Sequence, residues 1–595
     1  MKMKNYHILS LVLLGNITTT YSAENACVLA LPGQCGLKAG NSCCAPSCQG
    51  TCRTMYIPRS THANSSYWLS RPTYNPLALP ESGVDLGYEY QHSFFESDIA
   101  RCLFEEQTRT FAGSFVAERP ENSLLAEQFG LSSTFSGDVT FSPTIVNNNF
   151  HLFGAWRSYY DCCKGFFARG MMTITHQTRS LFNTSCITTP NAPIQPLVAG
   201  LMSSVEVASA PDITQALSGT YLFGDMQTPW SGTRISAGSM STTNLAGVTI
   251  DLGYTFEQTP SRGFSFFTRY RPGTGTIING FQPYGEQLFA PIIGDGHHQG
   301  LGGGFSINAL LWSDDREHSV ALLLDGYVLH LFENCQLRTF DFTDHGCLSR
   351  YLLLKELQPT GSGDFTYTGN LISGVNFSTR PAQVSVGVTG EAACQIRLRS
   401  NHTELIVGYE FYGRQEESVC LCPSSLNEKI YGIKGCTGTD YFSYSYDVND
   451  MISGHAAPFS NHSSATSSAT TITTCGPTDN AAAVQSTTTV GVDWSNAFEG
   501  TPPISADNVP NGTTLSNIVI TNISTPAQPL TTQDLNICSG KAPQQIIHKG
   551  MISFSYRWRD HWCLPYIMFG VQAEGSGAQC SLKQAGIWIQ GGATF

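Results

Sequence analysis

Trp588-Ile589-Gln590-Gly591-Gly592-Ala593-Thr594-Phe595 closes the chain, and its alternation decides how the rest is read. Phe595, Ala593, Gly591, Ile589 and Ile587 fall on one face of an extended segment, and Thr594, Gly592, Gln590 and Trp588 on the other. The same period of two runs upstream. Val84, Leu86, Tyr88 and Tyr90 alternate with Asp85, Gly87 and Glu89, and Val248, Ile250, Leu252, Tyr254 and Phe256 alternate with Thr249, Asp251, Gly253 and Thr255. Val384 to Leu398 keeps the pattern well beyond the ~5–6 residues usual for a soluble strand. It turns at Ser400-Asn401-His402 and returns through Leu405, Val407, Tyr409 and Phe411. Gly303 to Trp312 and His318 to Phe332 read as a hairpin around Asp314-Asp315-Arg316-Glu317. Met551 to Trp558, Trp562 to Ala573 and Lys583 to Phe595 read as a closing meander, with turns at Arg559-Asp560-His561 and Gly575-Ser576-Gly577.

Strands with one apolar face suit a soluble sandwich, whose apolar face meets a core, or a barrel, whose apolar face meets lipid. Two features favour the barrel, within a β-rich composition. The strands are long, and aromatics such as Tyr254, Phe256, Tyr409, Phe411, Tyr556 and Trp558 sit near strand ends; charged residues make up 13% of the chain, as in a β-rich chain with many turns. Lys2, Lys4, the apolar run Ile8 to Leu14 and the small residues around Ser22 read as a secretory signal over residues 1–22. No later stretch offers ~20 uncharged apolar residues. The best, Val320 to Phe332, is broken by Asp325 and His330. An exported chain of this kind is either secreted and soluble or spans a membrane as a closed barrel. Asn-X-Ser/Thr sites at Asn64, Asn183, Asn401, Asn461, Asn511 and Asn522 also allow a secreted glycoprotein.

A terminal strand that stops on an aromatic, in a chain with an export signal, resembles the closing strand of bacterial outer-membrane β-barrels. In that family the terminal aromatic is part of the signal read by the insertion machinery, which implies that role for Phe595. The expected fold is all-β: an antiparallel transmembrane β-barrel of roughly sixteen strands spanning 64–595, in the bacterial outer membrane. Outer-membrane lipids and the barrel-insertion machinery are the implied partners. Residues 453–532, rich in Ser, Thr, Asn, Ala and Pro, suit a long extracellular loop.

Twenty cysteines in an exported chain imply disulfides. Cys27, Cys35, Cys43, Cys44, Cys48 and Cys52 crowd a segment spanning 23–63 and resemble a knottin-like framework, with a final gap shorter than such frameworks have. Three readings stand side by side: a disulfide-bonded cap or plug on the periplasmic side, crosslinks to other envelope proteins, and a metal site. Met55-Tyr56-Ile57-Pro58-Arg59 reads as the linker into the barrel.

Catalytic signals are weak, so no enzyme and no cofactor are expected. No Gly-x-Ser-x-Gly elbow and no phosphate-binding loop is present. Asp295-Gly296-His297-His298 has metal-ligating residue types but reads more simply as a glycine-rich turn. The net charge of −13, without basic clusters, argues against nucleic acid. The better candidates are the charges on the polar face of the strands: Asp85, Glu89, Asp251, Arg269, Arg271, Glu391, Arg397, Arg399, Glu404, Glu410 and Arg557. Such residues are costly against lipid but tolerated in a polar lumen, where they either set ion selectivity or pair and fill the barrel. Barrel pattern and cysteine content together are loosely similar to the cysteine-bearing major outer-membrane porins of chlamydia-type intracellular bacteria, in which disulfide networks stiffen the envelope. The function expected is porin-like passive diffusion of small solutes, with slight cation preference and disulfide-linked envelope proteins or a homo-oligomer as further partners. The alternative is a non-conducting structural or adhesive surface protein. The two differ in whether the lumen is open.

Overall fold

The computed structural model describes residues 52–62, Ser65, Leu69 and, with short gaps in the connections, 82–434 and 529–595, together with a few short stretches between them. Cys27, Cys35, Cys43, Cys44, Cys48, most of the 453–532 stretch and the Arg559-Asp560-His561 turn lie outside the described residues.

Twelve strands form one closed antiparallel barrel. In chain order they are β1 (Gly83–Phe94), β2 (Thr144–Tyr159), β3 (Gly165–Ser180), β4 (Met240–Gln258), β5 (Arg262–Arg271) and β6 (Gly300–Ser313). They continue as β7 (His318–Thr339), β8 (Thr379–Ser400), β9 (Thr403–Arg414), β10 (Gln545–Arg557), β11 (Pro565–Gly575) and β12 (Lys583–Thr594). Each strand pairs with its sequence neighbours, and β12 closes the ring on β1 with Thr594 opposite Gly83 and Lys583 opposite Phe94. A short strand, Ser418–Leu421, continues along β8 where β9 ends, outside the ring.

The period of two is realised in burial. Val84 and Leu86 on β1 and Ile587 and Ile589 on β12 are exposed, while Asp85, Glu89, Trp588, Gln590 and Thr594 are buried. Apolar side chains thus cover the outside of the ring, and inside it polar side chains are joined by an apolar cluster that includes Phe153, Met171, Ile406, Met551 and Trp588. This inverts a soluble barrel and answers the question of which face the alternation serves.

The expectation of roughly sixteen strands is corrected to twelve. Two effects account for the excess. Barrel strands run to 22 residues in β7 and β8, so fewer of them use up the chain. Other extended segments, such as Thr108–Ala112, Ser136–Thr140, Leu353–Pro359 and Phe365–Ser373, pair among themselves outside the barrel.

The two ends of the barrel differ. One end carries the start of β1, the end of β12 and the short β2–β3, β4–β5, β6–β7, β8–β9 and β10–β11 turns. The other carries the long connections, which fold together around an apolar core that includes Phe104, Phe129, Phe141, Trp230, Leu288, Tyr351 and Phe377. Phe104 stacks on Phe141 at 3.6 Å, and Trp230 packs against both Phe129 and Tyr351. Helix α1 (Ser97–Phe104), in the first long connection, buries Ile99, Leu103 and Phe104 in this core. Its Cys102 is disulfide-bonded to Cys580 in the β11–β12 connection.

Candidate functional site

The segment read from sequence as a linker runs through the barrel instead. Cys52 lies at the long-connection end, disulfide-bonded to Cys347 in the β7–β8 connection. Cys52 thus pairs with a cysteine 295 residues away, and the other five cysteines of its group lie outside the described residues. Arg53 donates its backbone N–H to the Cys102 carbonyl and pairs with Glu416 at 2.8 Å. Arg179, at the long-connection end of β3, donates to the Tyr56 carbonyl at 3.3 Å, and Gln545, the first residue of β10, donates to the Ile57 carbonyl at 2.6 Å. Thr61 bonds Thr175 of β3, and the Ser65 N–H donates to Glu391 of β8. Arg397, near the short-turn end of β8, donates to the Leu69 carbonyl at 2.7 Å. The described residues between Cys52 and Leu69 therefore bond the wall on several sides, from its long-connection end to near its short-turn end.

A barrel of eight strands is filled by its own side chains, and one of sixteen to eighteen leaves a water-filled channel. Twelve strands fall between, with room for an added chain. Gly247 on β4 marks how close that chain comes: a Cβ there would lie 2.3 Å from the His62 ring. His62 in turn contacts Asp295 at 3.2 Å through Nε2 and bonds Ser60 through Nδ1. The Asp295-Gly296-His297-His298 stretch is a packing turn in this arrangement. Asp295 also pairs with Arg271 at 3.4 Å, and His298 is bonded to the Phe332 carbonyl and to Gln336.

Arg59 is the centre of the site. One of its Nη atoms pairs with Glu391 at 2.8 Å and with Glu410, and the other pairs with Glu574 at 2.9 Å. Its guanidinium carbon lies 5.2 Å from the Tyr412 ring centroid. Exposure of these side chains is 4% for Arg59, 0% for Glu391 and Glu410 and 3% for Glu574. Charges so far from water are tolerable only when paired, so each contact specifies the position of the segment.

The sequence-derived charged positions distribute among several groups. Asp251 accepts from Arg169 at 2.6 Å and from Arg269 at 2.7 Å, while Arg169 also reaches Asp325 at 3.0 Å. Arg269 lies over the Tyr327 ring, its guanidinium carbon 3.9 Å from the centroid, and Arg271 donates to the Tyr327 hydroxyl. Glu89 contacts His151 at 3.2 Å and accepts from Asn149, Gln91 and Gln572. Asp85 accepts from the Tyr566 hydroxyl. Glu404 lies 3.8 Å from Arg397 and 3.9 Å from Arg399, the latter half-buried near the turn. Arg557 is buried at the short-turn end of β10. The structure brings Glu391 and Glu410 together and adds partners that sequence reasoning missed: Arg59, Glu574, Tyr412 and, at 3.6 Å from Glu410, Lys549. The available signal was Arg59 itself, a lone cation in an otherwise neutral run from Thr54 to Tyr67.

No protein-family model matches the chain, and no curated protein matches its sequence. Several solved structures align with most of the chain at low identity. An outer membrane channel from Pseudomonas putida F1 aligns over 88% of this chain and 98% of its own, with 8% identity and a TM-score of 0.33. A Pseudomonas aeruginosa FadL homologue aligns over 91% and 99%, with 8% identity and a TM-score of 0.27. The transport unit of the autotransporter AIDA-I from Escherichia coli aligns over 91% and 99%, with 6% identity and a TM-score of 0.28.

Proposed function

We propose that this chain is an outer-membrane β-barrel of channel type whose lumen is closed by its own segment 52–69. Small solutes diffuse through it only when that segment gives way. The observation that carries the reading is Arg59, buried in the lumen and ion-paired to three strands of the wall. An always-open porin does not fit a lumen crossed in this way. Membrane insertion is supported by the outward row of exposed apolar side chains, such as Leu86, Phe150, Leu252, Val407, Phe569 and Ile587, which would otherwise face water. Short turns face the periplasm in barrels of this kind. Cys52 then lies at the outer end, opposite to the periplasmic position expected for the cysteine-rich cap.

Planar-bilayer recording of refolded residues 23–595 tests this. The wild type is expected to be silent or to flicker briefly. Gly247→Val, which drives a side chain into His62, is expected to give stepwise current while the barrel stays folded, shown by heat-modifiable migration on gels. Steady porin-like steps from the wild type would refute the closed state. Silence from both proteins would favour the second reading, a filled structural barrel, which the same ion-paired lumen supports.

A further inference from the structure

The groups around Arg59 belong to one continuous stretch of wall. Glu391 is on β8, Glu410 and Tyr412 on β9, Lys549 on β10 and Glu574 on β11, strands joined edge to edge by their ladders. Glu574 is held by Gln584 of β12 at 2.6 Å, and Glu410 by Lys549 at 3.6 Å. These contacts do not involve the lumen segment, so the wall keeps its three carboxylates and the aromatic face when the segment moves. An acidic cluster alone would suit any cation. This one already holds a particular kind: a planar guanidinium, with Nη1 on Glu574, Nη2 shared by Glu391 and Glu410, and Tyr412 5.2 Å from its central carbon. Such a fork of fixed N–H donors is what distinguishes guanidinium from ammonium recognition. With Arg59 gone, the three carboxylates lose the cation that pairs with all of them, and burial with less counter-charge is strongly unfavourable. Vacating the site is therefore coupled to entry of another cation.

We infer that the wall around Glu391, Glu410 and Glu574 is a binding site for guanidinium-bearing solutes, which Arg59 occupies in cis and for which such solutes compete. The inference rests on the closed-channel reading and names the class of solute that channel would favour. It separates binding, which is a property of the wall, from conduction, which needs the segment to move.

The test uses Arg59→Ala in refolded 23–595, with methylguanidinium and methylammonium at equal millimolar concentrations as probes. Methylguanidinium should raise the unfolding temperature of the variant, followed by heat-modifiable migration, and methylammonium should not. Neither should shift the wild type, whose site is full. Adding Glu574→Gln to the variant should raise the half-maximal methylguanidinium concentration several-fold. Should Arg59→Ala fail to refold in potassium chloride, refolding yield with each probe becomes the readout, and equal yields overturn the site. Equal stabilisation by both probes overturns it as well. Current through Arg59→Ala that methylguanidinium reduces more than methylammonium supports both site and channel. Current with no such difference leaves the channel reading and removes the site. Selective stabilisation without current in any variant keeps the site and removes the channel.

Discussion

At the scale of single residues, the interior is organised by charges that must find partners. Asp251 accepts from both Arg169 and Arg269, so Asp251→Asn leaves two buried guanidinium groups short of a counter-charge. The expected loss is on the order of 3–5 kcal/mol, read as a lower urea midpoint for loss of the heat-modifiable folded band. A midpoint within error of wild type would show that the group contributes position but not stability. Lys355 gives the opposite case, outside the barrel. Burial first, and then the neighbouring Lys434, push its ammonium well below the usual lysine range, with Asp225 opposing. Among the described residues its Nζ has no hydrogen-bond partner, although the Tyr367 ring centroid lies 5.3 Å away. A lysine whose pKa is depressed on folding costs stability when protonated, so the penalty is complete below the folded pKa and vanishes as pH rises toward the unfolded value. Lys355→Met should therefore stabilise the long-connection end by on the order of 1–3 kcal/mol near neutrality, with the gain shrinking toward pH 10. Protease resistance of the connections across pH measures this, and a pH-independent difference would contradict it.

At the scale of elements, alternation marked several of the strands and the two faces of each, but not the number of strands or where the intervening segments go. Val384 to Leu398, with its return from Leu405, appears as the β8–β9 hairpin, and the register pairs Arg397 with Ile406 and Ser400 with Thr403. By contrast, Met55 to Arg59 carries no pattern that distinguishes a linker from a lumen segment, because its partners are scattered from Arg179 to Glu574. The extended segments at Thr108–Ala112 and Leu353–Pro359 look like barrel strands locally and are assigned elsewhere by their partners. The disulfide between Cys52 and Cys347 fastens the lumen segment at the long-connection end, restricting its freedom to leave. The Cys52→Ser, Cys347→Ser double variant should keep a folded barrel while making segment 52–69 cleavable by added protease. Unchanged protection would mean that the ion pairs of Arg59 suffice to hold it.

At the scale of the whole molecule, the apolar outside, polar inside and apolar cap form three distinct environments. Exposed apolar side chains ring the outside, the long connections pack around an apolar core at one end, and Arg59 and His62 of the inner segment are buried against the wall. In Arg59→Ala the carboxylates of Glu391, Glu410 and Glu574 would line the passage without their main counter-charge. Any current through that variant should then be strongly cation-selective, measured as a reversal potential in a salt gradient. Anion preference would contradict the assignment of these groups to the conducting path. Phe595, with its N–H bonded to the Ser82 carbonyl and its side chain exposed at the closing seam, is available to a partner. Phe595→Ser should lower the amount of folded barrel assembled in membranes while leaving detergent refolding intact. Equal assembly would remove the proposed insertion signal.

The sequence by itself determined the all-β class, the antiparallel meander and the sorting of residues into outer and inner faces. These follow from local periodicity, which each strand carries in its own side chains. Asp85, Glu89, Asp251, Arg269, Glu391, Arg397 and Glu410 fall on the polar side of that alternation in the sequence and are buried in the structure. Strand number, the path of residues 52–69, the pairing of Cys52 with Cys347 and the meeting of Arg59 with Glu391, Glu410 and Glu574 were decided only by the tertiary structure. Each depends on groups hundreds of residues apart in sequence, and a period of two says which way a side chain points but not what it will find there.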